Sequence, residues 1–171
     1  MAAGKVQDYL EEIARDKLSE GSFLARHPHP VLVEVEGERT GSGSDEVAMT
    51  EKLDTAKMRR QSLSSREALV LVLGRADGPI LVGRAPHCDL VVDHPSVSKE
   101  HARFLRSEQE LSLEDLGSTN GTFHNYRRLD PHAPVAVMPD DALCFGRGAG
   151  WQLLDPAGLW SYLKLLEKFA L

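Results

Sequence analysis

Apolar-rich residues gather in nine short runs, at residues 68–73, 80–83, 89–92, 102–105, 111–115, 122–124, 135–137, 143–145 and 151–154. Glycine, proline, asparagine and aspartate punctuate the gaps, a spacing that predicts a mainly β fold, a sandwich of two antiparallel sheets. The runs 69–73 and 90–92 are apolar throughout and carry β-branched side chains, which suit a pleated, packed surface.

The flanks follow a different period. Val6, Tyr9, Leu10, Ile13 and Leu18 recur at helical spacing over residues 6–18, predicting an amphipathic helix with Gly21 as its stop signal. His27, Pro28, His29 and Pro30 break any helix, and residues 31–36 predict a short strand. Residues 37–44 are Gly, Glu, Arg, Thr, Gly, Ser, Gly and Ser, the composition of a flexible linker. Ser44, Asp45 and Glu46 then cap a thin helical pattern through Val47, Leu53 and Ala56 to Arg60. At the far end Leu159, Tyr162, Leu163, Leu166, Phe169 and Ala170 give residues 159–171 a wide apolar helical face that requires a partner. The organisation expected is 1–36 helix and strand, 37–65 linker, 66–155 sandwich and 156–171 helix.

A length of 171 residues with 42% apolar content supports one domain with a real core plus these flanks. The net charge of -6 argues against a nucleic-acid footprint, and the densest basic group, Lys57, Arg59 and Arg60, reads as a solvated helix end. No run approaches the roughly 18 consecutive apolar residues of a membrane span, and the N-terminus lacks the apolar centre of a signal peptide. The expected compartment is the cytoplasm. There Cys88 and Cys144, both inside apolar runs, read as buried thiols, with a disulfide as the lesser alternative.

Three polar clusters interrupt the strands: Gly83-Arg84, then SKEH at 98–101, then GSTNGT at 117–122. Each falls at a strand end or turn, where a rigid scaffold carries its binding residues. Arg84 offers a planar fork with a permanent charge, Ser98 a compact hydroxyl and Lys99 a mobile ammonium, a donor set matched to an anion such as phosphate. Taken alone, Arg84 also suits a surface ion pair with Asp89 or Asp93. Similar pairs end in Arg75 and Arg147, which read as solvated turn residues. Ser98 with His101 is the only couple resembling a nucleophile and base, and it lacks a third partner and an oxyanion motif, so no enzyme activity is expected. The scattered histidines show no metal-ligand spacing, and neither metal nor other cofactor is expected.

The identity and spacing of these clusters over residues 68–154 resemble the forkhead-associated (FHA) domain, a β-sandwich that reads phosphothreonine. That resemblance implies that Arg84, Ser98, Lys99, Thr119 and Asn120 bind the phosphothreonine and its peptide, with Asn120 on the peptide backbone. Gly83, His101 and Gly121 are implied as structural support. A methyl pocket implied by the family favours phosphothreonine over phosphoserine by about 1–3 kcal/mol. Pro139, Asp140 and Asp141 stand where many members have a Gly-Asp pair. The function so implied is a signalling adaptor in a Ser/Thr kinase pathway, partnered by threonine-phosphorylated proteins, with no nucleic-acid or membrane partner. The alternative is a phosphate-independent scaffold that self-associates through its terminal helices. Thr40, Thr50 and Thr55 near the linker are candidates for phosphorylation and self-capture.

Overall fold

The computed structural model describes residues 3–35, 66–74, 78–107, 110–148 and 150–168. The linker, its threonines and the expected helix ending at Arg60 lie outside the described residues. Chain order is β1 (Ala3–Lys5), α1 (Val6–Asp16), α2 (Glu20–Arg26), β2 (Val31–Val35), β3 (Leu69–Val72), β4 (Ile80–Gly83), β5 (Leu90–Val91), β6 (Ala102–Arg106) and β7 (Leu111–Asp115). It continues with β8 (Thr122–His124), β9 (Arg127–Arg128), β10 (Val135–Val137), β11 (Ala142–Phe145), β12 (Gly150–Leu154) and α3 (Pro156–Lys168).

The strands form a seven-stranded sheet, β1-β3-β2-β12-β11-β8-β9, and a five-stranded sheet, β10-β7-β6-β4-β5. Among the described pairs every ladder is antiparallel except β4 with β5. The core between the sheets gathers Leu32, Leu71, Val82, Phe104, Leu113, Phe145 and Trp151. Successive side chains of a strand point to opposite faces, so Val31, Val33 and Val70 emerge on the outer side of the larger sheet. There they meet Tyr9, Ile13, Phe23, Leu159, Leu163 and Leu166 in a second core. Both faces of the central strands are therefore covered, which is why β2 and β3 read as almost continuous apolar runs.

Several sequence expectations need revision. Residues 1–36 do not stand apart from the sandwich: β1 and β2 are strands of its larger sheet, β2 lying between β3 and β12. Gly21 is not a stop signal, because it lies inside α2. The stop is Lys17, which takes φ 49° and lets Leu18 N–H donate to Ile13 O. Ser19 then caps α2, its Oγ accepting from Ser22 N–H at 3.3 Å. The last helix begins with Pro156 at its first position, where a missing N–H costs nothing, and Asp155 Oδ1 accepts from Gly158 N–H at 2.6 Å. The three helices among the described residues bury apolar stripes against the larger sheet and one another, including Leu159, Tyr162, Leu163 and Leu166 of the terminal helix; Phe169 and Ala170, also expected on its apolar face, lie outside the described residues. No helix among the described residues is long and apolar enough to cross a membrane.

Candidate functional site

β4 ends at Gly83 because the loop after β5 passes too close for any side chain. A Cβ there would stand 2.2 Å from the Lys99 carbonyl oxygen and 2.9 Å from Cys88 Sγ. That contact lets Arg84 N–H donate to Ser98 O at 2.9 Å and Ala85 N–H to Lys99 O at 3.0 Å. Arg84 thus leaves the sheet with its backbone tied to the SKEH loop. Its Nε donates to Val97 O at 3.2 Å, which aims the guanidinium along that loop and leaves both terminal nitrogens unspent. No ion pair engages Arg84 among the described residues, so the surface pairing with Asp89 or Asp93 is not formed.

His101 joins the loops from beneath and is fully buried. Ser98 N–H donates to its Nδ1 at 3.0 Å, so the ring proton sits on Nε2 and is donated to Gly121 O at 3.0 Å. Burial lowers its pKa, outweighing the Gly121 bond and the nearby Asp115 carboxylate. His101 faces the Ser98 backbone and not its hydroxyl, so the nucleophile–base couple is not assembled. Because the folded pKa lies below the unfolded value of about 6.5, the neutral ring's contribution is complete above that pH and is lost as pH falls through the folded value. The melting-temperature advantage of wild type over His101→Asn should therefore shrink between about pH 7 and pH 5. Parallel melting profiles of the two proteins in non-phosphate buffers check this, and a constant gap would contradict it.

The GSTNGT turn is built on Asp115, a residue sequence reasoning left out of the site. Its Oδ1 accepts from Ser118 Oγ and Thr122 Oγ1, both at 2.6 Å, and its Oδ2 from the N–H groups of Gly117 at 2.9 Å and Ser118 at 3.0 Å. Burial alone would raise the Asp115 carboxyl pKa; these donors outweigh burial and leave it lowered. The signal was legible, since aspartate two residues before glycine is the signature of a side-chain-closed turn. Gly121 closes the same turn at φ +84°, a conformation that favours glycine.

The turn in turn positions Thr119 and Asn120. Thr119 N–H donates to Ser98 Oγ at 3.1 Å, so the Ser98 hydroxyl accepts inward and keeps its own proton for a ligand. Asn120 Nδ2 donates to Ser96 O at 2.8 Å, leaving its amide oxygen and second N–H available. All five expected binding residues, Arg84, Ser98, Lys99, Thr119 and Asn120, line one open cleft of about 460 Å³. The three expected supports, Gly83, His101 and Gly121, hold its walls by close backbone approach and hydrogen bonds.

A family model described as "FHA domain" matches residues 80–146. The FHA domain-containing protein PS1 of Arabidopsis thaliana is 37% identical over 75 residues, covering 43% of this chain and 5% of that protein. The human nuclear inhibitor of protein phosphatase 1 is 41% identical over 69 residues, covering 39% of this chain and 20% of that protein. The chain thus spans only a small part of these curated relatives. The solution structure of the FHA domain of an Arabidopsis thaliana hypothetical protein superposes with a TM-score of 0.51 at 22% identity, covering 74% of this chain and 85% of that one. This likeness shows the sandwich fold.

Proposed function

We propose that this chain, which a family model described as "FHA domain" matches over residues 80–146, is a phosphothreonine-dependent protein interaction module, acting as a signalling adaptor in a Ser/Thr kinase pathway. One observation carries the reading. The uncommitted terminal nitrogens of Arg84, the outward hydroxyl proton of Ser98 and the Lys99 ammonium converge on the cleft that also holds Asn120.

Phosphate at neutral pH presents nearly two charges and three acceptor oxygens, which this donor set matches. Charge-assisted hydrogen bonds contribute about 1.5–3 kcal/mol each, so two to four of them, less the ordering of a peptide, give a dissociation constant on the order of micromolar. Asn120 suits the peptide backbone because a side-chain amide donates and accepts at once, complementing both halves of a peptide group. The partners are threonine-phosphorylated proteins. Cys88 and Cys144 are free thiols, which fits a reducing compartment such as the cytoplasm. The described apolar residues of the helices pack within this chain, which favours the binding-module reading over the scaffold alternative.

Amide chemical-shift mapping tests the location. On adding a phosphothreonine peptide, the backbone amides of Arg84, Ser98, Thr119 and Gly121 should shift most, and those of α1, α2 and α3 should stay. Shifts confined to the helices would refute the proposal.

A further inference from the structure

Asn120 and Gly121 form a pair whose covalent chemistry the binding role does not use. An asparagine followed by glycine is prone to deamidation, because glycine puts no side chain in the way of attack by its own backbone nitrogen. The chain's other asparagine, Asn125, precedes the bulky Tyr126. In the reaction the Gly121 nitrogen attacks Asn120 Cγ. The N–Cγ bond forms, the Cγ–Nδ2 bond breaks, and the amide proton passes through solvent to the departing ammonia. Water then opens the succinimide to aspartate or isoaspartate. The net change is amide and water to acid and ammonia, with no oxidant or reductant.

The fold holds both ends of this reaction. Gly121 N–H, the attacking group, is donated to Ser118 Oγ at 3.0 Å, and the Ser118 hydroxyl donates in turn to Asp115 Oδ1 at 2.6 Å. Asn120 Nδ2, the leaving group, is tied to Ser96 O at 2.8 Å on a separate loop. Gly121 O accepts from His101 Nε2 at 3.0 Å and from Gly146 N–H at 2.9 Å, which fixes the glycine on its far side. Ser118 and His101 are buried, whereas Asn120 is half-buried and lines the open cleft. Water therefore reaches the amide, and local opening of the turn is what frees the nitrogen to attack it. The product does not suit the site: a carboxylate at position 120 has no N–H for Ser96 O and puts a negative charge among the donors that face phosphate. Isoaspartate also lengthens the backbone of a turn held by four hydrogen bonds to Asp115.

We infer that Asn120–Gly121 is a deamidation site at which the cleft is irreversibly inactivated, held in check by the hydrogen bonds to Ser118 and Ser96. The functional consequence rests on the phosphothreonine reading of the cleft; the covalent step and its restraint do not.

The test incubates the full chain in mildly alkaline buffer, native and in guanidinium chloride, alongside native Ser118→Ala, and follows amide loss at position 120 by peptide mapping with isoaspartate detection. Native wild type should react at least about tenfold more slowly than the unfolded chain, and folded Ser118→Ala about tenfold faster than native wild type, the factor that one lost hydrogen bond represents in the opening equilibrium. If Ser118→Ala does not fold, the comparison of native with unfolded wild type decides alone. In parallel, Asn120→Asp should bind a phosphothreonine peptide at least about tenfold more weakly than wild type. A native rate equal to the unfolded one, a folded Ser118→Ala that reacts no faster than wild type, or an Asn120→Asp that binds like wild type overturns the inference and leaves the phosphothreonine reading standing. A wild type that binds no phosphothreonine peptide overturns that reading and the functional consequence with it, while the rates still decide whether the fold restrains the reaction.

Discussion

Gly83→Ala is expected to destabilise the fold by about 3 kcal/mol or more, the upper end for overpacking a close-packed interior with strained hydrogen bonds added. The new methyl would stand 2.2 Å from the Lys99 carbonyl oxygen and 2.8 Å from its carbon, and backbone atoms on both sides have nowhere to retreat. Relief requires separating the two loops. That separation strains the bonds from Arg84 N–H to Ser98 O, Ala85 N–H to Lys99 O and Val92 N–H to Gly83 O, each 2.9–3.0 Å long. For a chain of this size the melting temperature should fall by roughly 6–12 °C. Peptide binding should weaken with it, since Arg84 is aimed by the same contacts. Thermal and urea unfolding of the variant check the claim, and a melting temperature within about 2 °C of wild type would contradict it.

Arg84→Ala should do the reverse, leaving stability nearly intact while removing binding. The side chain is exposed and its sole described bond is the 3.2 Å contact to Val97 O, so little of the fold depends on it. Its two terminal nitrogens, by contrast, are the only fork in the cleft able to hold two phosphate oxygens in parallel. Losing two charge-assisted bonds removes about 3 kcal/mol or more, which is at least a hundredfold in affinity. Replacement by lysine should recover only part of this, because an ammonium keeps the charge without the planar geometry.

The residues differ in how visible they were in the sequence. The sandwich strands announced themselves through apolar runs and regular turn residues, and the clusters around Arg84, Ser98 and Asn120 fell at strand ends, where loops gather. Burial on both faces made β2 and β3 equally plain. Three elements were hidden for physical reasons. β1 spans three residues and earns its place by pairing with β3, a long-range event that leaves no local pattern. β9 is a pair of exposed arginines, and the two-residue turn before it uses Asn125 at φ 46° and Tyr126 at φ 67°, without the glycine that usually marks such a turn. α2 is seven residues long and contains a glycine, so its Ser19 cap was the only local cue.

Within the site, the anion-donor chemistry of Arg84, Ser98 and Lys99 was legible in the residues themselves, whereas Thr119, Asn120 and the supporting residues followed from the family resemblance. Asp115 makes four hydrogen bonds that shape the GSTNGT turn, and its one local cue is the glycine two residues on. Arg147, expected as a solvated turn residue, is exposed in the turn after β11, where its N–H donates to Ser96 Oγ at 2.8 Å. The amphipathic faces of the terminal helices were legible, but their partner was not. Periodicity says that a face must be covered; here the outer side of the larger sheet covers it.

Whether the cleft reads phosphate is decided by titrating the full chain with a phosphothreonine peptide and its unphosphorylated twin, in wild type and Arg84→Ala. Binding on the order of micromolar is expected for wild type with the phosphorylated peptide alone, and none of that strength for the folded variant. Equal affinity of wild type for the two peptides, or phosphate-dependent binding that survives in Arg84→Ala, would contradict it.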